Sequence, residues 1–271
     1  MKTIINKFFR KQIDRKVKAH VDSELRKYGF IPISETEPQD VFIVGYPKSG
    51  NTWMQFMLAS LINGIDPPSL NVPIVLEFVP DVHYKKFYKR YRERCFLKTH
   101  HLPKPEYRKV IYLLRDGRDA MVSYYYMNKI QFEGYSMEQM IKEGKGLFPG
   151  RWHEHVKQWM ENPYKADILI VKYEDMKSDT SHELKRICDF LSLNFSTEQI
   201  SRVVEGCSFE NLKKMEQTIG LNDAARQWKG DDQSRFFRKG VKGDFKNEIE
   251  PSLLKCFEEY SYEQLKRFNY L

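Results

Sequence analysis

A short apolar run, Val41-Phe-Ile-Val-Gly-Tyr46, leads into Gly45-Tyr-Pro-Lys48-Ser49-Gly50-Asn51-Thr52. Set against the phosphate loop G-x-x-x-x-G-K-[S/T], both glycines and the threonine are in place. Asn51 takes the lysine position, and Lys48 lies three residues earlier. Such a loop turns backbone N–H groups and the positive end of a helix toward an anion. A plain strand-to-helix turn is the alternative, and the coincidence of strand, loop, lysine and helix weighs against it. Trp53 follows at once, placed either to stack on a base or to pack in a core. Arg115 leaves a second apolar run and Ser123 lies eight residues on. A guanidinium fork with a hydroxyl suits a second phosphate, although arginine at a strand end is common. In FFRKGVKGDFK (236–246), Gly240 and Gly243 alternate with bases that include Arg238 and Lys239. That describes a loop able to wrap an anion, or simply a basic surface loop. Lys98-Thr99-His100-His101 closes another apolar run, and a neutral imidazole there can take a proton from a hydroxyl near pH 7. His153-Glu-His155 is not a zinc pair: positions two apart do not share a helix face, and no third ligand has a recognisable spacing.

These residues need elements to position them. Strands are expected at 41–46, 94–99, 109–114 and 167–173. Helices are expected at 52–63, 118–128, 151–161, 179–191, 197–205 and 252–267. Strands alternating with helices predict an α/β fold with a central parallel sheet flanked by helices. Ligands bind beyond the carboxyl ends of such strands, where every motif above falls. Ile5, Phe9, Ile13, Val17, Val21 and Leu25 recur every four residues, so 4–25 is expected to be an amphipathic helix that packs on the domain. Residues 218–236, with Gly220 and Gly230, are expected to form a mobile lid.

The chain has 271 residues, 41% hydrophobic and 30% charged, enough for a core and too apolar for wholesale disorder. No apolar run is long enough to span a membrane, and MKTIINKFFRKQID lacks the apolar centre of a signal peptide. Four scattered cysteines fit reduced thiols and a cytoplasmic location. The net charge of +8 concentrates in 1–18, 85–94 and 226–246. Such runs read as solvated surface, which is where 1–18 and 85–94 are left, or as sites for an anionic partner, and charge alone does not choose between nucleic acid, a membrane surface and a phosphorylated small molecule.

Taken together, YPKSGNTW (46–53), KTHHLP (98–103), LLRDGRDAMVSYY (113–125), VKYEDMK (171–177), SFENLKK (208–214) and FRKGVKGDFK (237–246) resemble the soluble sulfotransferases that use 3′-phosphoadenosine 5′-phosphosulfate (PAPS). The resemblance spans about residues 40–246 and implies a P-loop-like three-layer fold. The whole chain is then read as one sulfotransferase domain, with an N-terminal helical segment at 1–30, a core at 40–246 and a C-terminal helix within 250–271. It implies that Lys48, Ser49, Gly50, Asn51 and Thr52 hold the 5′-phosphosulfate. Trp53, Tyr173 and Phe209 would surround the adenine. Arg115, Ser123, Arg238, Lys239 and Gly240 would hold the 3′-phosphate. His100 would be the catalytic base, with Lys98 beside it and Lys48 and Ser123 serving transfer; His101 is the competing base. Asn51 stands where animal members usually carry threonine, and Cys207 where they often carry a cofactor-touching threonine. Phe78, His83, Tyr84, His101, Tyr126, Met127 and Phe132 are expected near a small-molecule acceptor carrying a hydroxyl or amine. No metal and no nucleic acid are expected. The rivals are a P-loop kinase or NTPase, against which Asn51 speaks, and a non-catalytic nucleotide-binding module, which has no need of Lys98 and His100.

Overall fold

A computed structural model of the chain describes residues 17, 19–219 and 239–271. A helix (α1) over residues 19–27 leads into β1 (Phe30–Pro32) and β2 (Val41–Gly45). Then come α2 (Asn51–Asn63), a 3-10 turn (Pro67–Ser69), α3 (Val72–Phe78), β3 (Phe87–Lys89), β4 (Phe96–Thr99) and β5 (Lys109–Leu114). They are followed by α4 (Gly117–Gln131), α5 (Met137–Glu143), α6 (Trp152–Glu161) and β6 (Asp167–Lys172). The remainder is helical: α7 (Tyr173–Ser178), α8 (Thr180–Phe190), α9 (Thr197–Gly206), α10 (Phe209–Ile219), α11 (Phe245–Glu248) and α12 (Pro251–Arg267).

Four strands form one parallel sheet in the order β4-β2-β5-β6, with Val41 opposite Phe96 and Lys109, and Lys109 opposite Asp167. Period-two alternation divides its side chains between two cores. Val41, Ile43, Ile111 and Leu113 face one that α2, α8 and α9 close with Met54, Leu58, Ile187 and Val203. Phe42, Val44, Val110 and Tyr112 face the other, which α4, α6 and α12 close with Met121, Trp152, Trp159 and Phe257. Burial on both faces is why the strands read as near-continuous apolar runs. The three layers bring all four strand C-termini to one edge.

The two-stranded antiparallel sheet, β1 on β3, went unpredicted because three-residue strands carry no readable alternation. The short helix α3 escaped for a similar reason, although Asn71 caps it at Ile74 N–H and Pro73 sits in its first turn. The basic run 85–94, read as solvated surface, is partly built into the fold. It contains β3; Arg90 forks onto both oxygens of the fully buried Asp40 at 2.8 Å; Arg94 donates to the Leu191 carbonyl at 2.7 Å. Residues 1–16, 18 and 220–238 lie outside the described residues, and with them Arg238, most of the expected N-terminal helix and most of the expected lid.

Candidate active site

A cavity of about 420 Å³ opens at the carboxyl edge of the sheet. Each strand of the sheet supplies it through the segment that follows: β2 gives Lys48 and Gly50, β4 gives His100, β5 gives Arg115, and β6 gives Tyr173.

The loop after β2 is shaped by left-handed backbone at Lys48 (φ 71°) and Gly50 (φ 94°). For lysine that conformation is strained, and such strain persists only where surrounding contacts impose it. Here Arg115 donates from Nη1 to the Lys48 carbonyl at 2.8 Å. Gly50 is required twice over, since a Cβ there would meet the Tyr173 ring at 2.9 Å. Asn51 braces the loop from within, its Nδ2 donating to the Tyr46 carbonyl at 3.0 Å. Helix α2 starts after Gly50 with no side-chain cap and no acid in its first turn, so its first N–H groups remain available to an anion. Among the described residues, buried Ser49 Oγ and Arg115 Nε have no protein partner. Unpaired buried donors beside an uncapped helix start fit an anionic group.

Trp53, Tyr173 and Phe209 form an aromatic wall: Trp53 meets Tyr173 edge-on at 6.1 Å and donates from Nε1 to the Cys207 carbonyl at 2.8 Å. Arg115 lies over the Tyr173 ring at 4.4 Å. Ser123 and Met127, four residues apart on α4, share the face turned to the cavity. The lining continues with Lys239 and Gly240, with Gly240 so close to Phe209 that a Cβ would meet its ring at 2.8 Å. Lys239 reaches Asp244 at 3.0 Å and Glu248 at 2.6 Å. Asp119 ties this segment to α4 by accepting from Gly243 N–H at 2.7 Å and Phe245 N–H at 3.1 Å.

At the far end, His100 Nδ1 lies 2.7 Å from the Gly45 carbonyl. A carbonyl only accepts, so Nδ1 carries the proton and Nε2 keeps its lone pair. Burial, reinforced by the Lys98 charge, pushes the His100 pKa well below 6.5. Lys98 donates to Asp81 Oδ2 at 2.6 Å, a buried pair. Burial alone would raise the Asp81 carboxyl; the charge and hydrogen bond of Lys98, helped by the His83 main-chain N–H, hold it below the usual range. His101 turns elsewhere: its Nδ1 shares a 2.8 Å hydrogen bond with Tyr107 OH, and its carbonyl accepts from Trp159 Nε1. Burial pushes its pKa down to about 4.

The structure therefore gathers Lys48, Gly50, Asn51, Thr52, Trp53, Lys98, His100, Arg115, Ser123, Tyr173, Phe209, Lys239 and Gly240 around one space, with His83, Tyr84 and Met127. Ser49 and Cys207 lie behind the lining, each at most 1% exposed. Phe78, His101, Tyr126 and Phe132 are not brought to the cavity. Phe78 packs on the core beside Tyr91, Tyr126 OH donates to Glu248 at 2.7 Å, and Phe132 is exposed beside Tyr135. Reading the sequence missed Asp81, Asp119, Tyr124, Phe148, Val241 and Asp244. Asp119 of RDGRD and Asp244 of KGDF were visible there as acids among bases; Phe148 had no signal.

Residues 38–269 match the family model described as sulfotransferase domain. The chain is 30% identical to sulfotransferase 1E1 of Bos taurus over 254 residues, which cover 86% of this chain and 85% of that protein. It is 29% identical to sulfotransferase 2A1 of Macaca fascicularis over 248 residues, 84% of each. Among solved structures, retinol dehydratase in complex with androsterone and the inactive cofactor PAP matches with a TM-score of 0.64 at 23% identity, covering 86% of this chain and 82% of that one. Mouse sulfotransferase SULT7A1 complexed with PAP matches at 0.61 and 24% identity, covering 85% of each. Those two likenesses concern the fold. The family model and the relatives extend over most of the chain, so it belongs to the sulfotransferase domain family.

Proposed function

We propose that this sulfotransferase moves the sulfuryl group of PAPS to a hydroxyl or amine of a small, partly apolar acceptor, with His100 as the general base. The supporting observation is the tautomer of His100. Its Nδ1 proton is committed to the Gly45 carbonyl, and the cavity that its ring lines also holds Lys48. A half-buried imidazole kept neutral, with one free lone pair, suits removal of an acceptor proton near neutral pH.

The donor-side roles are those the family resemblance implies, and their surroundings support them. The uncapped start of α2, Lys48 and Thr52 would hold the 5′-phosphosulfate, with buried Ser49 and Asn51 shaping the cradle from behind and within. Trp53, Tyr173 and Phe209 would enclose the adenine. Arg115, Ser123, Lys239, Gly240 and Arg238 would hold the 3′-phosphate. When bound, PAPS supplies an electrophilic sulfur with a bisphosphorylated adenosine as leaving group. As His100 Nε2 accepts the acceptor's proton, Lys48 and the loop N–H groups would neutralise charge on the leaving phosphate oxygen. Ser123 would keep the Lys48 ammonium from the sulfate until an acceptor is seated.

Tyr84, Phe148 and Val241, large apolar groups 38%, 45% and 50% exposed, stand in the lining. Exposed apolar groups gathered at one opening mark a binding surface, which favours an acceptor with an aromatic or aliphatic body. No described helix is long and apolar enough to cross a membrane. We read the chain as a single catalytic domain working in the cytoplasm.

Calorimetry tests the donor assignment. Adenosine 3′,5′-bisphosphate (PAP) should bind tightly without Mg²⁺ and far more tightly than AMP. A preference for Mg·ATP would contradict it.

A further inference from the structure

His83 stands apart from the donor cradle and has no place in the scheme above, yet the structure invests several contacts in it. The segment around it is laid along the edge of β4: Lys98 N–H donates to the Pro80 carbonyl at 2.9 Å, and Val82 N–H donates to the Lys98 carbonyl at 3.0 Å. Asp81 then fixes the next residue, its Oδ1 accepting the His83 main-chain N–H at 2.9 Å while Oδ2 holds Lys98. The side chain of His83 turns back onto the base. Its Nε2 accepts the His100 main-chain N–H at 2.9 Å, and the two rings stack at 5.4 Å with 15° between planes. His101 and Phe148 meet the His83 ring edge-on at 4.6 and 5.2 Å and complete the enclosure.

We infer that His83 is a positioning residue for the base: as a neutral imidazole it holds the His100 backbone and ring so that His100 Nε2 faces the acceptor, and on protonation it lets go. An imidazole nitrogen accepts an N–H only while it lacks its own proton. Protonated His83 would set two donors against each other, 2.9 Å apart, and release the main chain at the catalytic residue. Such small displacements of a reacting group are costly in rate, up to about a hundredfold for 1 Å. The charged and titratable groups around His83 are Asp81 on its own segment, Lys98, His100 and His101 at the end of β4, and Lys104 beyond it. Burial, aided by Lys98 and Lys104, lowers the His83 pKa below 6.5 against the opposing pull of Asp81, so the ring is neutral at pH 7.

This inference rests on His100 being the base, and the experiment separates the two. His83→Phe keeps a ring and removes the acceptor; His83→Gln keeps a hydrogen-bond acceptor near the Nε2 position and does not titrate. His83→Phe should lower kcat about tenfold or more at saturating acceptor, with the acceptor KM and the calorimetric affinity for PAP within about twofold of wild type. His83→Gln should recover most of kcat, and the acid limb of its pH–rate profile should move to lower pH. Wild-type kcat in His83→Phe would overturn the inference. So would a raised acceptor KM at unchanged kcat, which marks an acceptor contact, or a His83→Gln variant no better than His83→Phe with an unmoved acid limb. Should His83→Phe lose PAP binding, His83→Gln alone decides by the same two readouts. His100→Ala is run beside them. If it abolishes transfer while His83→Phe does not slow it, only the inference about His83 fails; if it retains transfer, the assignment of the base fails first.

Discussion

A histidine can take a proton only through a nitrogen whose lone pair is free, so the partner of the other nitrogen decides its chemistry. At His100 that partner is the Gly45 carbonyl. The sequence marked both histidines of KTHH as candidates, because residue type and spacing are legible there. Their orientations were not, since the partners Gly45 and Tyr107 are set by strand pairing and by the chain's path beyond β4. The same holds for Lys98. Read from the motif as a catalytic neighbour, it is also half of a buried ion pair with Asp81, whose side chain is 1% exposed. Removing one partner of such a pair leaves an uncompensated charge and costs about 3–5 kcal/mol, whereas replacing both by apolar groups is often close to neutral. Lys98→Ala should therefore lower stability in urea unfolding by about that amount, and Lys98→Met with Asp81→Leu should recover most of it. A loss under about 1 kcal/mol in Lys98→Ala would show that the pair does not bear on stability.

At the scale of elements, the parallel strands and long helices were legible because burial on both sheet faces leaves unbroken apolar runs between glycine, proline and polar punctuation. What was not legible is how the ends are tied together. Asp119, in the first turn of α4, is 2% exposed and accepts two main-chain N–H groups from the segment that carries Lys239 and Gly240. It thus joins the element bearing Ser123 to that segment. Hydrogen bonds to a charged acceptor contribute about 1.5–3 kcal/mol each. Asp119→Ala should free that loop and weaken PAP binding about tenfold or more, while AMP, which lacks the 3′-phosphate, is much less affected. Equal losses for both nucleotides in calorimetry would place the role of Asp119 elsewhere.

Across the whole molecule, the net charge of +8 divides among different uses. Arg90 and Arg94 serve the fold, whereas Lys48, Arg115 and Lys239 line the cavity. The composition announced a surplus of bases and could not apportion it, because burial decides the matter. Histidine shows the same thing. Five of the seven, His83, His100, His101, His153 and His155, have pKa values lowered chiefly by burial. Unfolding restores each toward about 6.5, so below that pH the unfolded chain binds more protons than the folded one. Their contribution to stability is present above about pH 6.5 and is lost as pH falls toward their folded values, about 4 for His101 and about 3 for His155. The melting temperature should fall steadily between pH 6.5 and pH 4.5; a flat profile over that range would contradict the buried neutral state.

Donor binding and proton removal are assigned to different residues of one cavity, and His100→Ala separates the two. Calorimetry with PAP, followed by PAPS-dependent transfer of ³⁵S to an acceptor, should show wild-type nucleotide affinity with transfer abolished. Lys48→Ala, measured alongside, should lose both transfer and part of the nucleotide affinity. Undiminished transfer by His100→Ala would contradict the account.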